Sequence, residues 1–193
     1  VPEKEGSAKL TVELIGSPKD VTVSDDGKNM AVIQVTNTLT TGSITLSKEL
    51  IGDVTDPITG YKAIFEFALK LEQPDGYTNP VLASKHVTDG DGTVTYVKAV
   101  KTSPNGAEGT IETEIQLPVA ADGTVKDIGL KANESLTIEG IYYGTAYTVT
   151  EDVTAETGFE FAGSVVQTGD SSQTDSENPV EGKTEDGKDT VIT

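Results

Sequence analysis

Three polar side chains occupy strand positions at which the alternation of the sequence predicts apolar, inward-facing residues. Glu151 shares a predicted strand face with Tyr147 and Val149, while the threonines between them face the other way. Lys48 and Asn37 lie on the apolar faces of two earlier predicted strands. Together they supply a carboxylate, an amine and an amide.

A carboxylate on an apolar face needs a partner. An ionised carboxylate that leaves water is strongly destabilised unless it is paired or kept neutral. The amine of Lys48 is a suitable partner for Glu151. For Lys48 alone, a side chain that lies along the apolar surface with its ammonium in water explains the position equally well. The three groups together favour a shared polar site.

The composition excludes several classes of function. The 193 residues include 32 acidic and 14 basic side chains, giving a net charge of −18. This charge argues against nucleic acid and anionic membranes, which require clustered lysine and arginine. There is no cysteine, so disulfides and thiolate chemistry are excluded. No apolar run reaches the length of a membrane helix, and we predict no membrane insertion.

The elements that carry these groups are predicted to be strands. Threonine, valine and glycine are abundant, and most runs alternate between apolar and polar residues. A helix is the alternative for residues 61–72, but the period of two and the phenylalanine pair there favour a strand. Residues 168–185 are rich in Ser, Asp, Glu and Gly, which predicts a long loop. Further strands are predicted over residues 9–14, 21–24, 30–39, 43–50, 94–99, 110–117, 124–130, 135–139, 144–152, 158–161, 163–167 and 189–193.

An internal repeat suggests two modules. An Asp-Gly-Lys-Asx sequence at residues 26–29 precedes the strand that ends at Asn37, and a second one at residues 186–189 precedes the last strand. Continued without gaps, the first pattern would place an asparagine four positions after Thr193.

The repeat predicts the domain organisation. Residues 1–40 are predicted to be the tail strands of a preceding module. Residues 41–193 are predicted to form a second module, with an inserted region near residues 76–125 and an incomplete final strand.

Four motifs, taken together in their order along the chain, resemble the B-type (CnaB-type) immunoglobulin-like domains of Gram-positive collagen adhesins and pilin shafts. In that family the Tyr-x-Val-x-Glu pattern is known as the E-box. The segment from Val35 to Gly42 also resembles a junction between tandem modules. The motifs are Gly-Ser-Ile-Thr-Leu-Ser-Lys at residues 42–48, Phe-Glu-Phe at 65–67, Leu-Thr-Ile-Glu-Gly-Ile at 136–141 and Tyr-Thr-Val-Thr-Glu at 147–151.

The resemblance implies an all-β fold: an immunoglobulin-like β-sandwich preceded by a short β extension. It also implies a self-formed isopeptide bond, in which Lys48 is the nucleophile and Glu151 the proton-transfer catalyst. Phe65, Phe67 and Tyr147 are then candidates for an aromatic shell that excludes water. The chain would need no cofactor and would have no enzymatic activity toward other molecules.

The asparagine of this bond is not fixed by the sequence. Asn37 matches the family position, but it precedes Lys48 by only 11 residues. Such a short connection cannot cross between parallel neighbouring strands. The acceptor is therefore expected either beyond Thr193 or at Asn37 of a neighbouring molecule. In the second case residues 1–40 would act as a donated strand in a self-association.

The function implied by the resemblance is a structural stalk or shaft module of an adhesin or pilus. It would lie outside the cell, on the wall or pilus of a Gram-positive bacterium, with neighbouring modules as partners. The alternative is a ligand-binding adhesin domain that recognises host matrix or glycan through the inserted region. Asp89 and Asp91 resemble half of a calcium loop, but a hairpin turn explains them better.

Overall fold

A computed structural model describes most of the chain as two compact units, Val1–Thr38 and Leu39–Thr193. The described residues are 8–14, 17–23, 41–51, 62–72, 84–88, 92–152, 158–171 and 173–193.

The first unit contains an antiparallel hairpin. Strand β1 (Ala8–Leu14) pairs with β2 (Ser17–Val23), with Leu14 opposite Ser17 and Ala8 opposite Val23. The second strand begins four residues earlier than the sequence predicts. The strand predicted over residues 30–39, which carries Asn37, lies outside the described residues.

The second unit is built on one continuous hydrogen-bonded sheet of twelve strands. A short 3-10 helix, Gly106–Glu108, lies at the tip of the hairpin formed by strands Gly92–Pro104 and Thr110–Val119. The strands are β3 (Thr41–Ser47), β4 (Phe65–Glu72), β5 (Ser84–Thr88), β6 (Gly92–Pro104), β7 (Thr110–Val119), β8 (Thr124–Leu130), β9 (Ser135–Tyr142), β10 (Ala146–Glu151), β11 (Ser164–Thr168), β12 (Thr174–Ser176), β13 (Val180–Lys183) and β14 (Asp189–Ile192).

The sheet folds back on itself around a single core. Its strand order is β12-β11-β14-β3-β9-β6-β7-β8-β4-β10-β13, with β5 added to β6. Apolar residues from both halves of this order belong to one buried cluster, including Ile44 and Ile138 from one half and Leu69 and Val149 from the other. The period-two pattern of each strand thus places one face in the core, as in a β-sandwich.

The first and last strands of this unit are parallel neighbours. Strand β14 lies between β11 and β3, and its pairing with β3 runs from Asp189 opposite Ser43 to Ile192 opposite Leu46. The other strand pairings of the described sheet are antiparallel. The parallel pair brings the two ends of the unit together.

The all-β prediction is confirmed, including the strand at residues 65–72. Phe65, Leu69 and Leu71 are buried there, as the alternation predicted. The loop predicted over residues 168–185 was wrong, because that stretch contains the short strands β12 and β13. Most residues of these strands are polar and exposed, so the sequence shows no clear alternation there. Strand formation depends instead on pairing with neighbouring strands in the sheet.

The region near residues 76–125 belongs to the main sheet where it is described. Strand β6 pairs with β9 through residues 99–102, and the long β6–β7 hairpin extends beyond that pairing.

In the described part of the chain, no helix is long and apolar enough to cross a membrane.

Gly42 allows the turn before β14 to pack against β3. A Cβ atom at this position would overlap the carbonyl oxygen of Lys188. We expect Gly42→Ala to lower the free energy of unfolding by about 1–3 kcal/mol, because backbone must move to admit the methyl group. Urea unfolding measures this change. Thr41→Ala, one residue earlier, is the control and should cost less; equal stability of Gly42→Ala and wild type would contradict the packing described.

Candidate functional site

Lys48 directly follows β3, and two hydrogen bonds hold its main chain in place. Its N–H donates to the carbonyl oxygen of Glu134 at 3.0 Å, and its carbonyl oxygen accepts from the N–H of Asn133 at 2.7 Å. The turn that precedes β9 therefore holds the main chain from which the lysine side chain projects.

That turn is itself held by the buried carboxylate of Glu134. The carboxylate accepts hydrogen bonds from the N–H of Lys131 and from Ser103 Oγ, both at 2.8 Å, and pairs with Lys101 Nζ at 2.7 Å. Burial alone would raise the pKa of Glu134, but the bonds from Lys101, Lys131 and Ser103 outweigh it and hold this pKa below its usual range.

The side chain of Lys48 meets Glu151 in a closely packed ion pair. Lys48 Nζ lies 2.6 Å from Glu151 Oε1, and the two side chains are only 13% and 10% exposed. A lysine that reached into water at a strand end would be far more exposed, so this alternative does not describe the residue.

The ion pair joins the two halves of the sheet. Lys48 follows β3 and Glu151 ends β10, and five strands separate β3 from β10 in the hydrogen-bonded order. Within its own half of the sheet, Glu151 lies opposite Phe67 of β4. The contact is therefore made across the sandwich rather than along a ladder.

Aromatic rings cover one side of the pair. Lys48 Nζ lies 4.3 Å from the centroid of the Phe65 ring, close enough for a cation–π interaction. Phe159 packs edge-on against Phe65, with centroids 5.2 Å apart and ring planes at 81°. Tyr147 is buried, but it packs against Gly182 and lines no part of this site.

A small cavity adjoins the ion pair. Its volume is about 40 Å³, and its lining includes Lys48, Glu151, Phe67, Asn178 and Thr193. A single water needs about 10–15 Å³, so the cavity has room for roughly three waters. A carboxamide group consists of three heavy atoms.

The structure brings four of the predicted site residues together, namely Lys48, Glu151, Phe65 and Phe67. Tyr147 lies elsewhere in the core, and Asn37, Asp89 and Asp91 lie outside the described residues. Among the residues that are described, no group of three or more His, Cys, Asp or Glu side chains could hold a metal ion.

Sequence reasoning missed two residues of the site. Phe159 was assigned to a short strand, and Asn178 fell in the predicted loop. A phenylalanine flanked by Gly158 and Glu160 could have been noticed as a candidate for the aromatic shell. No sequence signal distinguishes Asn178 from the other polar residues around it.

The carboxylate of Glu134 should make stability depend on acid. The pKa of Glu134 is lower in the folded state than in the unfolded state. The carboxylate therefore contributes its full stabilisation above its unfolded-state pKa of about 4.3, and this stabilisation is lost as the pH falls through the folded-state pKa. We expect Glu134→Gln to be less stable than wild type by about 1–3 kcal/mol at neutral pH. We also expect this difference to shrink between about pH 5 and pH 3.

Urea unfolding across this pH range measures the effect. Glu114→Gln is the matched control, because Glu114 also pairs with a lysine, Lys98, but both side chains are more than half exposed. The control should change little. A Glu134→Gln protein with the same acid sensitivity as wild type would contradict the role given to this carboxylate.

Comparison with known proteins supports the fold and gives a family. Solved structures with the same fold include the major pilin of Streptococcus pyogenes, at 22% identity and a TM-score of 0.54, covering 97% of this chain and 58% of that one. A mutant of that pilin has a TM-score of 0.58 at 21% identity, covering 97% and 59%. The major pilin T3.2 of the same species has a TM-score of 0.52 at 18% identity, covering 100% and 63%.

These identities establish a shared fold alone, and the chain spans about three fifths of each of those pilins. Comparison with curated protein sequences gave no significant match. The model of one domain family, described as a domain of unknown function (DUF7601), matches residues 42–192. The chain therefore belongs to the DUF7601 family.

Proposed function

We propose that residues 41–193 form a structural module in the shaft of a Gram-positive pilus or surface adhesin, locked by a self-formed bond between Lys48 and an asparagine. The observation that carries this proposal is the 2.6 Å Lys48–Glu151 pair, buried beside the parallel strands β3 and β14. The fold shared with streptococcal pilins supports the proposed setting, which is extracellular, with neighbouring modules as partners.

The chemistry follows from the three groups. Glu151 accepts a proton from Lys48 Nζ, and the resulting amine attacks the side-chain carbonyl carbon of the asparagine. A bond forms between this carbon and Nζ, and the bond from the carbon to the amide nitrogen breaks. Glu151 passes its proton to the departing nitrogen, which leaves as ammonia, and then accepts the second proton that Nζ loses as the new amide forms. No oxidant, metal or energy source is required.

The register of β14 favours one position for the proposed acceptor. Ile192 lies opposite Leu46, so a residue that continued the strand directly after Thr193 would lie opposite Lys48. In-register residues of parallel strands point to the same face of the sheet. The fourth position after Thr193 would lie about 10 Å further along and on the opposite face. The register therefore favours the first position over the one that the repeat suggested.

Asn37 of a neighbouring molecule is the other source of the amide. Because β3 already pairs with β14 on one edge and with β9 on the other, a donated strand would have to displace β14 to present Asn37 to Lys48. In this case the product is a covalent chain of molecules rather than an internally locked module.

The proposed bond would suit a module under tension. A link between Lys48 and the end of β14 encloses nearly all of residues 41–193 in one covalent loop. By analogy with a disulfide, such a loop removes about 5 kcal/mol of unfolded-state entropy. Pulling force on the two ends would then pass through a covalent bond rather than through the hydrogen bonds of the β3–β14 pair.

Intact-mass measurement tests the internal bond. We expect a chain lengthened by an asparagine-led extension after Thr193 to lose about 17 Da, the mass of ammonia. Glu151→Gln and Lys48→Met in the same lengthened chain should keep the full mass. An extension with its asparagine in the fourth position is the register control and should react more slowly. A lengthened wild-type chain that keeps its full mass would contradict the proposal.

Denaturing gels test the intermolecular version. If Asn37 reacts with a neighbour, the 193-residue chain should form ladders that resist denaturant and disappear in Asn37→Ala. Ladders that persist in Asn37→Ala would rule out this acceptor.

A further inference from the structure

The carboxamide of Asn178 is bound to the backbone of Glu151 by two hydrogen bonds. Asn178 Oδ1 accepts from the N–H of Glu151 at 3.0 Å, and Asn178 Nδ2 donates to the carbonyl oxygen of Glu151 at 2.9 Å. A side-chain amide that donates to and accepts from one residue reproduces the pairing that the peptide groups of a neighbouring strand would make.

The register of the sheet explains why a side chain takes this role. The antiparallel pairing of β10 with β13 ends with Val149 opposite Val180. Continued by two residues, it places Glu151 opposite Asn178, with Pro179 between Asn178 and the end of the ladder. The backbone ladder stops before this point. The Asn178 side chain supplies the next pair of hydrogen bonds in its place.

We infer that Asn178 is a positioning residue, which holds the backbone of Glu151 so that its carboxylate meets Lys48. The peptide groups on both sides of Glu151 are fixed by Asn178 on one edge. On the other edge, the N–H of Asp152 donates to the carbonyl oxygen of Glu66 at 2.9 Å. With both edges held, the direction in which the Glu151 side chain leaves the strand is set.

Such positioning has a consequence for reactivity, and this consequence rests on the proposed function. A displacement of about 1 Å in a reacting group can lower a rate by about 100-fold. Glu151 is the last residue of β10, where a strand is least constrained by its own ladder. We call the two hydrogen bonds from the Asn178 carboxamide to the Glu151 backbone the clamp. The clamp lies where the ladder between β10 and β13 has ended, so that Glu151 would otherwise be free to move on this edge.

Asn178 is not placed as the reacting amide. It lines the same small cavity as Lys48, but both polar atoms of its carboxamide are already bound to Glu151. Reaction with Lys48 would break both hydrogen bonds and release the nitrogen that holds the Glu151 carbonyl oxygen. The clamp and the acceptor are therefore different residues.

A double-mutant cycle on the 193-residue chain tests the inference without requiring the crosslink. Urea unfolding of wild type, Lys48→Met, Glu151→Gln and the double variant gives the coupling between the two charges. We expect this coupling to fall at least twofold when the cycle is repeated in Asn178→Ala. The matched control is Asn105→Ala, which removes an asparagine whose amide contacts Glu108 instead; there the coupling should be unchanged.

A second variant covers the case in which Asn178→Ala does not fold. Asn178→Asp has nearly the same shape and keeps the acceptor for the Glu151 N–H, but it turns an oxygen toward the Glu151 carbonyl oxygen. The coupling should fall at least twofold here as well. Coupling equal to wild type in whichever of the two variants folds would overturn the inference.

Peptide mapping separates this inference from the proposed function. A branched peptide joining Lys48 to Asn178 would overturn the positioning role, because Asn178 would then be the acceptor. A lengthened chain that forms no bond, together with lost coupling in the Asn178 variants, would support the clamp while contradicting the proposed crosslink.

Discussion

The ion pair between Lys48 and Glu151 is the constraint on which the rest of the second unit depends. It joins the two halves of a sheet that folds around one buried apolar cluster. A buried ion pair is a weak source of stability, because desolvation of both charges offsets much of their attraction. The surroundings nevertheless supply a ring face for the amine and a backbone clamp for the carboxylate. The proposed reaction of Lys48 with an asparagine would require such an arrangement.

Each partner reaches the contact through its own support. Lys48 is held through its backbone by the turn at residues 131–134, and that turn depends on the buried carboxylate of Glu134. Glu151 is held by β4 on one edge and by Asn178 on the other. The two supports lie far apart in sequence. The site therefore forms only when the whole sandwich has folded, which would delay any reaction until the module is complete.

The extent to which the sequence predicted this structure varied with the kind of signal. Period-two alternation identified the core strands and placed Lys48 and Glu151 inward, because burial on one face leaves a clear pattern. It failed for β12 and β13, which are short, polar and defined by their neighbours. Asn178 was missed for the same reason. Its role depends on the register between β10 and β13, and register is a property of two strands rather than of one.

The aromatic surroundings were predicted only in part. Phe65 and Phe67 share strand β4 with the site, so their position followed from the alternation. Tyr147 lies four residues before Glu151 on β10, and this distance along the strand places it away from Lys48. Phe159 contacts Phe65 from a segment without regular structure, whose path no periodicity describes.

In the proposed function, Lys48 becomes covalently bound to an asparagine side chain in the native protein. Tandem mass spectrometry of proteolytic peptides from the protein isolated from its natural source is the direct test. We expect a branched peptide in which Lys48 is joined to an asparagine-containing segment with the loss of ammonia. Recovery of the Lys48 peptide only in its linear, unmodified form would contradict it.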